Sequence, residues 1–486
     1  MKIKNIPLLH FSQTHCWMND PNGLIKHGDT YHLYFQSNPN DKNWGDIGWG
    51  HAISKDLISW EKVADALYAN SETMMFSGSA ISSRNTLGLG DEMILFYTAC
   101  TYEFDKDADF IVKKQTQNIA YSDHNAREWK IFKQNPVLDI NSKEFRDPKV
   151  IKLGDSSWLM LVSRARDYFI DFYISSDLIN WELSSSFSDC TFRAGAWECP
   201  DLICLDIDGQ TKYVLFLSVD DGFISEGSGV LYIIGNFQNG EFTVDIDLMG
   251  GEGYRKLDKG PDFFASQSFY CDDEAEPAIL LAWLNNWKYA KGMPNAGLPL
   301  LQSIPRELSL TKCHGDEVFL QQKPILAIEQ HIKPLFKQQK VFIKPQQPIL
   351  FEDISGCFVF SASYNILNSA DFKLNIRQQS TELFSFHINS SCTCIAIQRA
   401  QSSIFKSHTN TFNTSFSPLN ENLDIKIVAD YYSIEVFVND YTEVFSFHMG
   451  QYFDHVVLEL SSLNKPVEMA TLMLSTCPIK ADCELV

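Results

Sequence analysis

Ser54-Lys-Asp-Leu-Ile-Ser-Trp60-Glu61 recurs almost letter for letter as Ser175-Ser-Asp-Leu-Ile-Asn-Trp181-Glu182, and a weaker echo, Ser122-Asp-His-Asn-Ala-Arg-Glu-Trp129, lies between them. The two closer copies follow strand-like runs, Gly50-His-Ala-Ile53 and Phe172-Tyr-Ile-Ser175, and all three arrive at a Trp. Taken alone, Ser-x-Asp-Leu-x-x-Trp could be a common turn. Positions 54, 122 and 175 are 68 and 53 residues apart. That period matches one four-stranded propeller blade with decorated loops, so the repeat predicts a chain built from blades. Five blades would fill residues 1–320.

The flanking sequence supports strands throughout. Tyr31–Phe35, Met93–Thr98, Ser157–Val162, Tyr213–Ser218 and Ile279–Leu284 read as strands of period two between Gly, Asp and Asn turns. No run of helical period exceeds about three turns. Around residues 321–340 the composition shifts to Gln, Lys, Pro and Ile, which reads as a linker. Beyond it Asp424-Ile-Lys-Ile-Val-Ala-Asp430 and Ser433-Ile-Glu-Val-Phe-Val-Asn439 alternate cleanly, predicting a β-sandwich over 341–486 with apolar faces inward. The expected fold is therefore all-β, a five-bladed β-propeller followed by a C-terminal β-sandwich.

Composition narrows the function. Forty Lys and Arg against 61 Asp and Glu leave a net charge of −21, a surface that repels phosphate backbones and anionic lipid. Nucleic acid and membrane partners are accordingly not expected. The longest apolar stretch, Ala278–Leu284, falls far short of the ~20 residues of a membrane helix. Pro7 interrupts the brief apolar patch of Met1–Leu9 before a signal peptide could form, so the expectation is a cytoplasmic protein, or a secreted one if a leader preceded this chain. Twelve cysteines without a Cys-x-x-Cys pair read as reduced, buried thiols, and no cluster suggests a metal or an organic cofactor.

Aromatic rings stack on sugars and carboxylates cleave glycosidic bonds, so 63 aromatics beside 61 acids make a sugar hydrolase plausible. Three acids sit among rigid or aromatic neighbours: Trp17-Met-Asn-Asp20-Pro-Asn-Gly23, Phe145-Arg146-Asp147-Pro148 and Trp197-Glu198-Cys199-Pro200-Asp201. Each has a plainer reading as well. Asn-Asp-Pro-Asn-Gly makes a good turn, Arg-Asp-Pro could be a local ion pair, and Trp-Glu-Cys-Pro could be an edge strand stopped by proline.

In order along the chain, these motifs together with Phe76-Ser-Gly-Ser79 closely resemble glycoside hydrolase family 32, the β-fructofuranosidases that include invertases, inulinases and levanases. Tyr34-Phe-Gln36-Ser-Asn-Pro39, Gly48-Trp-Gly-His51, Asp258-x-Gly-x-Asp262-Phe-Phe, Asn286-Trp287 and Pro305-Arg-Glu-Leu308 extend the likeness over nearly the whole chain. The resemblance implies a site in the axial funnel of a five-bladed propeller. It implies Asp20 as nucleophile, Glu198 as general acid and base, and Asp147 as transition-state stabiliser, with Arg146 binding a hydroxyl and keeping Asp147 ionised. Asn19, Asn22, Gln36, Trp44, Phe76, Ser77 and Trp287 would line the fructose subsite, although Trp44 and Trp287 could instead be core residues. Cys16 stands where relatives commonly carry Gly and is expected to pack rather than act as a catalytic thiol, whereas Gly48 replaces a bulkier residue, so the funnel wall is expected to be more open there.

The implied activity is removal of terminal β-D-fructofuranosyl units from sucrose and short fructo-oligosaccharides, with retention. An exo-inulinase or levanase, a fructosyltransferase, or a carbohydrate-binding protein on an inactive hydrolase scaffold are the alternatives. An exposed sandwich edge could pair two chains into a homodimer.

Overall fold

The five runs singled out as strands, Tyr31–Phe35 through Ile279–Leu284, occupy the same place in five successive sheets. Each belongs to the second strand of its sheet. The computed structural model describes residues 6–478 apart from 105–109, 124–125, 155–156, 189–191, 224–226, 274, 314, 369 and 407. Within those residues five sheets follow one another, each built on a path of four antiparallel strands. The first runs Trp17–His27, Thr30–Asn38, Gly48–Ser54 and Trp60–Lys62.

The first strand of each sheet lies innermost: β1 (Trp17–His27), β2 (Thr73–Ser82), β3 (Phe145–Gly154), β4 (Trp197–Ile207) and β5 (Phe264–Ser268). β1 packs on β2, β2 on β3, β3 on β4, β4 on β5, and β5 returns to β1. That closed ring is a five-bladed propeller. Ser12 and Gln13 pair with Leu301 and Leu300, tying the segment just before β1 to the last blade.

Blade packing explains why the second strands are so apolar. Leu215 and Leu217 pack with Leu159 and Leu161 of the third blade, while Val214 and Phe216 pack with Leu280 and Ala282 of the fifth. The period of two survives, but both faces are buried between neighbouring blades, so it separates one apolar contact from another rather than apolar from polar.

The repeat is the turn from third to fourth strand. Ser54 Oγ accepts the Leu57 N–H at 2.9 Å, Asp56 Oδ1 accepts from Ser59 N at 2.7 Å, and Trp60 Nε1 donates to the Leu57 carbonyl at 3.0 Å. Ser175, Asp177 and Trp181 reproduce these bonds at 2.9, 2.8 and 3.0 Å in the third blade. Leu57 and Leu178 share φ 67°. The echo at Ser122–Trp129 joins the corresponding strands of the second blade, although His124 and Asn125 lie outside the described residues.

The second unit is a two-sheet sandwich. One sheet orders Lys333–Ile343, Val467–Thr476, Cys357–Asn365, Asn422–Asp430, Ser433–Val438 and Glu443–His448. The other orders Ile349–Ile354, Val456–Ser462, Phe372–Gln378, Thr381–Asn389, Cys394–Arg399 and Thr411–Ser415. Ser433–Val438 is buried along its whole length, unlike the half-exposed strand its alternation predicts, because its outer face docks on the propeller. There Glu435 accepts from Arg306 Nη2 at 2.6 Å and from the Ile304 N–H at 2.7 Å.

Two expectations need correction. The linker expected over 321–340 is mostly strand: Val318–Pro324 closes the fifth blade and Lys333–Ile343 opens the sandwich, leaving a short connection with one helical turn, Ile328–His331. Lys333–Ile343 is an edge strand with mostly exposed side chains, so its polar composition mimics a linker. Cys357 and Cys477, expected as reduced thiols, form a disulfide. They extend the Phe358–Thr476 pairing of adjacent strands, a proximity that a separation of 120 residues conceals.

Candidate active site

Every inner strand carries a register shift near the same end of the axis. The shifts fall between Met18 and Pro21, Phe76 and Gly78, Arg146 and Lys149, Glu198 and Asp201, and Phe264 and Gln267. A bulge adds a residue to one strand and re-aims its side chains. Asp147 and Cys199 adopt φ 65° and 47° within two of them. Pro21, Pro148 and Pro200 fit because these strands border the axis and their sheets pair on one side only. Asn-Asp-Pro-Asn-Gly is therefore not a turn but the buried middle of β1. Likewise Trp-Glu-Cys-Pro lies on an edge strand, yet the proline does not stop it and β4 continues to Ile207.

The bulges point three carboxylates into one cavity of about 510 Å³, lined by Asp20, Asp147 and Glu198. Asn19, Gln36, Trp44, Phe76, Ser77, Arg146 and Trp287 line it too, and both tryptophans also pack against the hydrophobic core beside it. Asn22 does not reach it. Fully buried, Asn22 stands behind the wall, its amide oriented so that the oxygen accepts from Gln36 Nε2 at 2.9 Å and the nitrogen donates to Ser77 Oγ at 3.3 Å. It hydrogen-bonds two lining residues from behind.

The carboxylates differ in their surroundings. Asp20 is 7% exposed, and both its oxygens are held: Asn19 Nδ2 donates to Oδ1 at 2.9 Å and Ser77 Oγ to Oδ2 at 2.7 Å, with the Cys199 thiol 3.7 Å from Oδ2. Burial raises its proton affinity and these three donors oppose the rise. Asp147 Oδ2 accepts the Cys199 N–H at 2.9 Å, and the Asp147 N–H donates to Thr98 Oγ1 at 2.9 Å. Its affinity is also raised, first by burial, against the pull of Arg146.

Glu198 departs furthest from an ordinary carboxylate. Burial lifts its pKa, Arg146 opposes that, and Asp147, Asp220 and Asp20 add to the rise, carrying it to about 8. Arg146 lowers the proton affinity of Asp147 through its charge, as expected, and directs its hydrogen bonds to other neighbours. It donates to Glu198 Oε1 through Nε at 3.0 Å and to Glu144 Oε2 through Nη1 at 2.6 Å. The site thus holds one buried, hydrogen-bonded acid beside one that keeps its proton at neutral pH. That combination suits a nucleophile paired with a general acid.

Sequence reading missed Phe110, Val112, Gln115, Glu144, Arg166, Asp220, Asp221, Lys288 and Lys291, which complete the lining. Glu144 and Lys288 adjoin recognised residues and were within reach. Gln115 and Asp220 had no local signal, since they arrive from other strands. Gln115 Oε1 accepts the Phe145 N–H at 2.9 Å, and Asp220 Oδ2 pairs with Arg166 at 3.0 Å. Gly48 lies outside the funnel, in a smaller neighbouring cavity, and a Cβ there would meet the Leu67 carbonyl oxygen at 2.3 Å. The glycine permits close strand packing and does not open the funnel. Cys16 is buried, its thiol 3.3 Å from Gln13 Oε1.

Residues 10–324 match the N-terminal domain of glycosyl hydrolases family 32, and residues 338–446 match the C-terminal domain of the same family. An invertase of Debaryomyces hansenii is 31% identical over 97% of this chain and 93% of its own. A levanase of Bacillus subtilis is 31% identical over 90% of this chain, which spans 65% of the levanase. Among solved structures, the exo-inulinase of Aspergillus awamori superposes with a TM-score of 0.88 at 27% identity, covering 97% of this chain and 98% of that one. A β-fructofuranosidase of Schwanniomyces occidentalis, complexed with fructosyl-erythritol, gives 0.84 at 28% identity and 97% of both chains.

Proposed function

The chain belongs to glycosyl hydrolases family 32, and from that premise we propose that it is a retaining glycosidase that removes terminal β-D-fructofuranosyl units from sucrose and short fructo-oligosaccharides. The observation that carries the reading is the convergence of Asp20, Asp147 and Glu198, from bulges on three inner strands, upon one cavity.

Asp20 attacks the anomeric carbon of the fructosyl unit while Glu198 gives its proton to the departing glycosidic oxygen. One carbon–oxygen bond breaks as the bond to the Asp20 carboxylate forms. Glu198, now ionised, takes a proton from water, whose oxygen attacks the same carbon and releases Asp20. Two displacements restore the starting configuration. Ser77 and Asn19 hold both Asp20 oxygens and favour its ionised form. Asp147 binds fructose hydroxyls through hydrogen bonds that strengthen as positive charge develops on the ring.

Measuring free glucose and fructose from sucrose, with inulin alongside, tests the proposal. Equal amounts from sucrose with little from inulin are expected. Glucose in excess would indicate fructosyl transfer, and release mainly from inulin an exo-fructanase, the reading that the names of the levanase and exo-inulinase relatives favour. No release from either would leave a binding protein on an inactive scaffold. For assembly we infer a homodimer through the edge strand Lys333–Ile343, where Leu335 and Phe342 are exposed. A one-chain mass in light scattering would sink that inference.

A further inference from the structure

Trp287, Lys288 and Lys291 reach the cavity from a segment that follows the second strand of the fifth blade and contains two 3₁₀ turns, Ala290–Gly292 and Pro294–Ala296. Such short turns carry little stability of their own, so the segment depends on what holds it. Part of the hold comes from the propeller. Asn286 Nδ2 donates to the Pro261 carbonyl at 2.8 Å, and the Trp287 N–H donates to Ser228 Oγ at 3.1 Å.

The rest comes from the sandwich. Arg399, at the end of the strand Cys394–Arg399, is fully buried, and its Nη1 donates to Asp262 Oδ2 at 2.8 Å and to the His448 carbonyl at 2.9 Å. The other Asp262 oxygen, Oδ1, accepts the Tyr289 hydroxyl. Phe405 of the sandwich packs edge-on against the Tyr289 ring at 4.9 Å, with the Arg399 guanidinium 3.6 Å from the Phe405 ring centre. His448 Nε2 lies 3.0 Å from the Pro299 carbonyl, just past the second turn. Tyr289, Ala290, Met293, Leu298 and Phe405 share one hydrophobic core.

We propose that the sandwich domain sets the position of this funnel wall, with Arg399, through Asp262 and Tyr289, acting as the positioning residue for Trp287, Lys288 and Lys291. The wall's placement then governs how tightly substrate is held, whereas the three carboxylates stand on β1, β3 and β4 with other hydrogen-bond partners. A neutral Arg399 replacement would leave Asp262 charged, buried and without its cation, which threatens folding. Two milder variants avoid this. Tyr289→Phe removes one hydroxyl, and Arg399→Lys keeps the charge but loses the planar fork.

The inference rests on the fructosidase reading, and wild-type release of fructose from sucrose is the control that separates the two: no wild-type activity defeats that reading, not this one. Given activity, KM and kcat are measured on protein whose active sites have been counted. Tyr289→Phe is expected to raise KM for sucrose roughly tenfold with kcat changed less than about threefold. Arg399→Lys should fall between wild type and Tyr289→Phe. A merely structural contact would lower Tm and the active fraction and leave KM alone. Wild-type KM in folded Tyr289→Phe and Arg399→Lys would overturn the proposal, as would a loss confined to kcat.

Discussion

Arg146 meets one oxygen of Glu198 twice, with Nε 3.0 Å and Nη2 2.9 Å from Oε1. The guanidinium works against the elevated proton affinity of the acid beside it, and burial with the neighbouring carboxylates prevails. Glu198 therefore titrates near 8, so its acid form is present below that pH and is lost above it.

The first prediction concerns pH. For kcat/KM the alkaline limb reports Glu198 losing its proton, and the acid limb reports Asp20 gaining one. Arg146→Gln removes the cation that chiefly lowers the Glu198 pKa, so the alkaline limb should move upward, by about one unit. A pH–rate profile with an unmoved alkaline limb would assign that limb to another group.

Turnover should separate the three acids. Asp20→Asn or Glu198→Gln should lower kcat on sucrose by about 10³-fold or more, with the fold kept. Asp147→Asn should reduce kcat more than it raises KM, because its bonds strengthen in the transition state. Steady-state kinetics on each variant decides, and a change confined to KM in Asp147→Asn would remove that role.

Stability should move the opposite way at Glu198. Its folded pKa lies above the ordinary 4.5, so the stabilising protonated form is fully present below 4.5 and is lost as pH rises through about 8. Glu198→Gln stays neutral throughout. Its Tm should exceed that of wild type, with a margin that grows between pH 4.5 and 8. Thermal melts with a constant or negative margin would contradict the environment described for Glu198.

The domain interface makes a separate prediction. Arg306 Nη2 pairs with Asp258 at 2.9 Å and with Glu435 at 2.6 Å, all three buried. Arg306→Met leaves two buried carboxylates without that cation, a loss of about 3–5 kcal/mol readable in urea. Glu435 is held down to about 2, so its contribution is present above 4.5 and is lost as pH falls through 2. His10, between Asp430 and Glu435, is lifted to about 9 despite its burial, so its contribution is present below 6.5 and is lost as pH rises through 9. His10→Gln should flatten the alkaline loss of stability and leave the acid side less affected. An unchanged alkaline slope would show that His10 does not carry it.

Features that depend on neighbouring residues were legible in the sequence. The Ser-x-Asp turn forms its hydrogen bonds within seven residues, so its recurrence at Ser54 and Ser175 disclosed the blades. Asp20, Asp147 and Glu198 each stand in a short motif with a proline within two residues, and those motifs, taken in order as a family resemblance, marked the three acids. Tertiary structure alone decided which distant groups meet them. Gln115 serves Phe145 and Arg146 from another strand, Asp220 raises the Glu198 pKa from the paired strand of the same blade, and Arg399 reaches Asp262 from the second domain. Cys357 and Cys477 found each other only through strand pairing. A turn or a bulge is encoded by the residues that make it, whereas burial, charge and the approach of remote side chains exist only once blades and sandwich have packed.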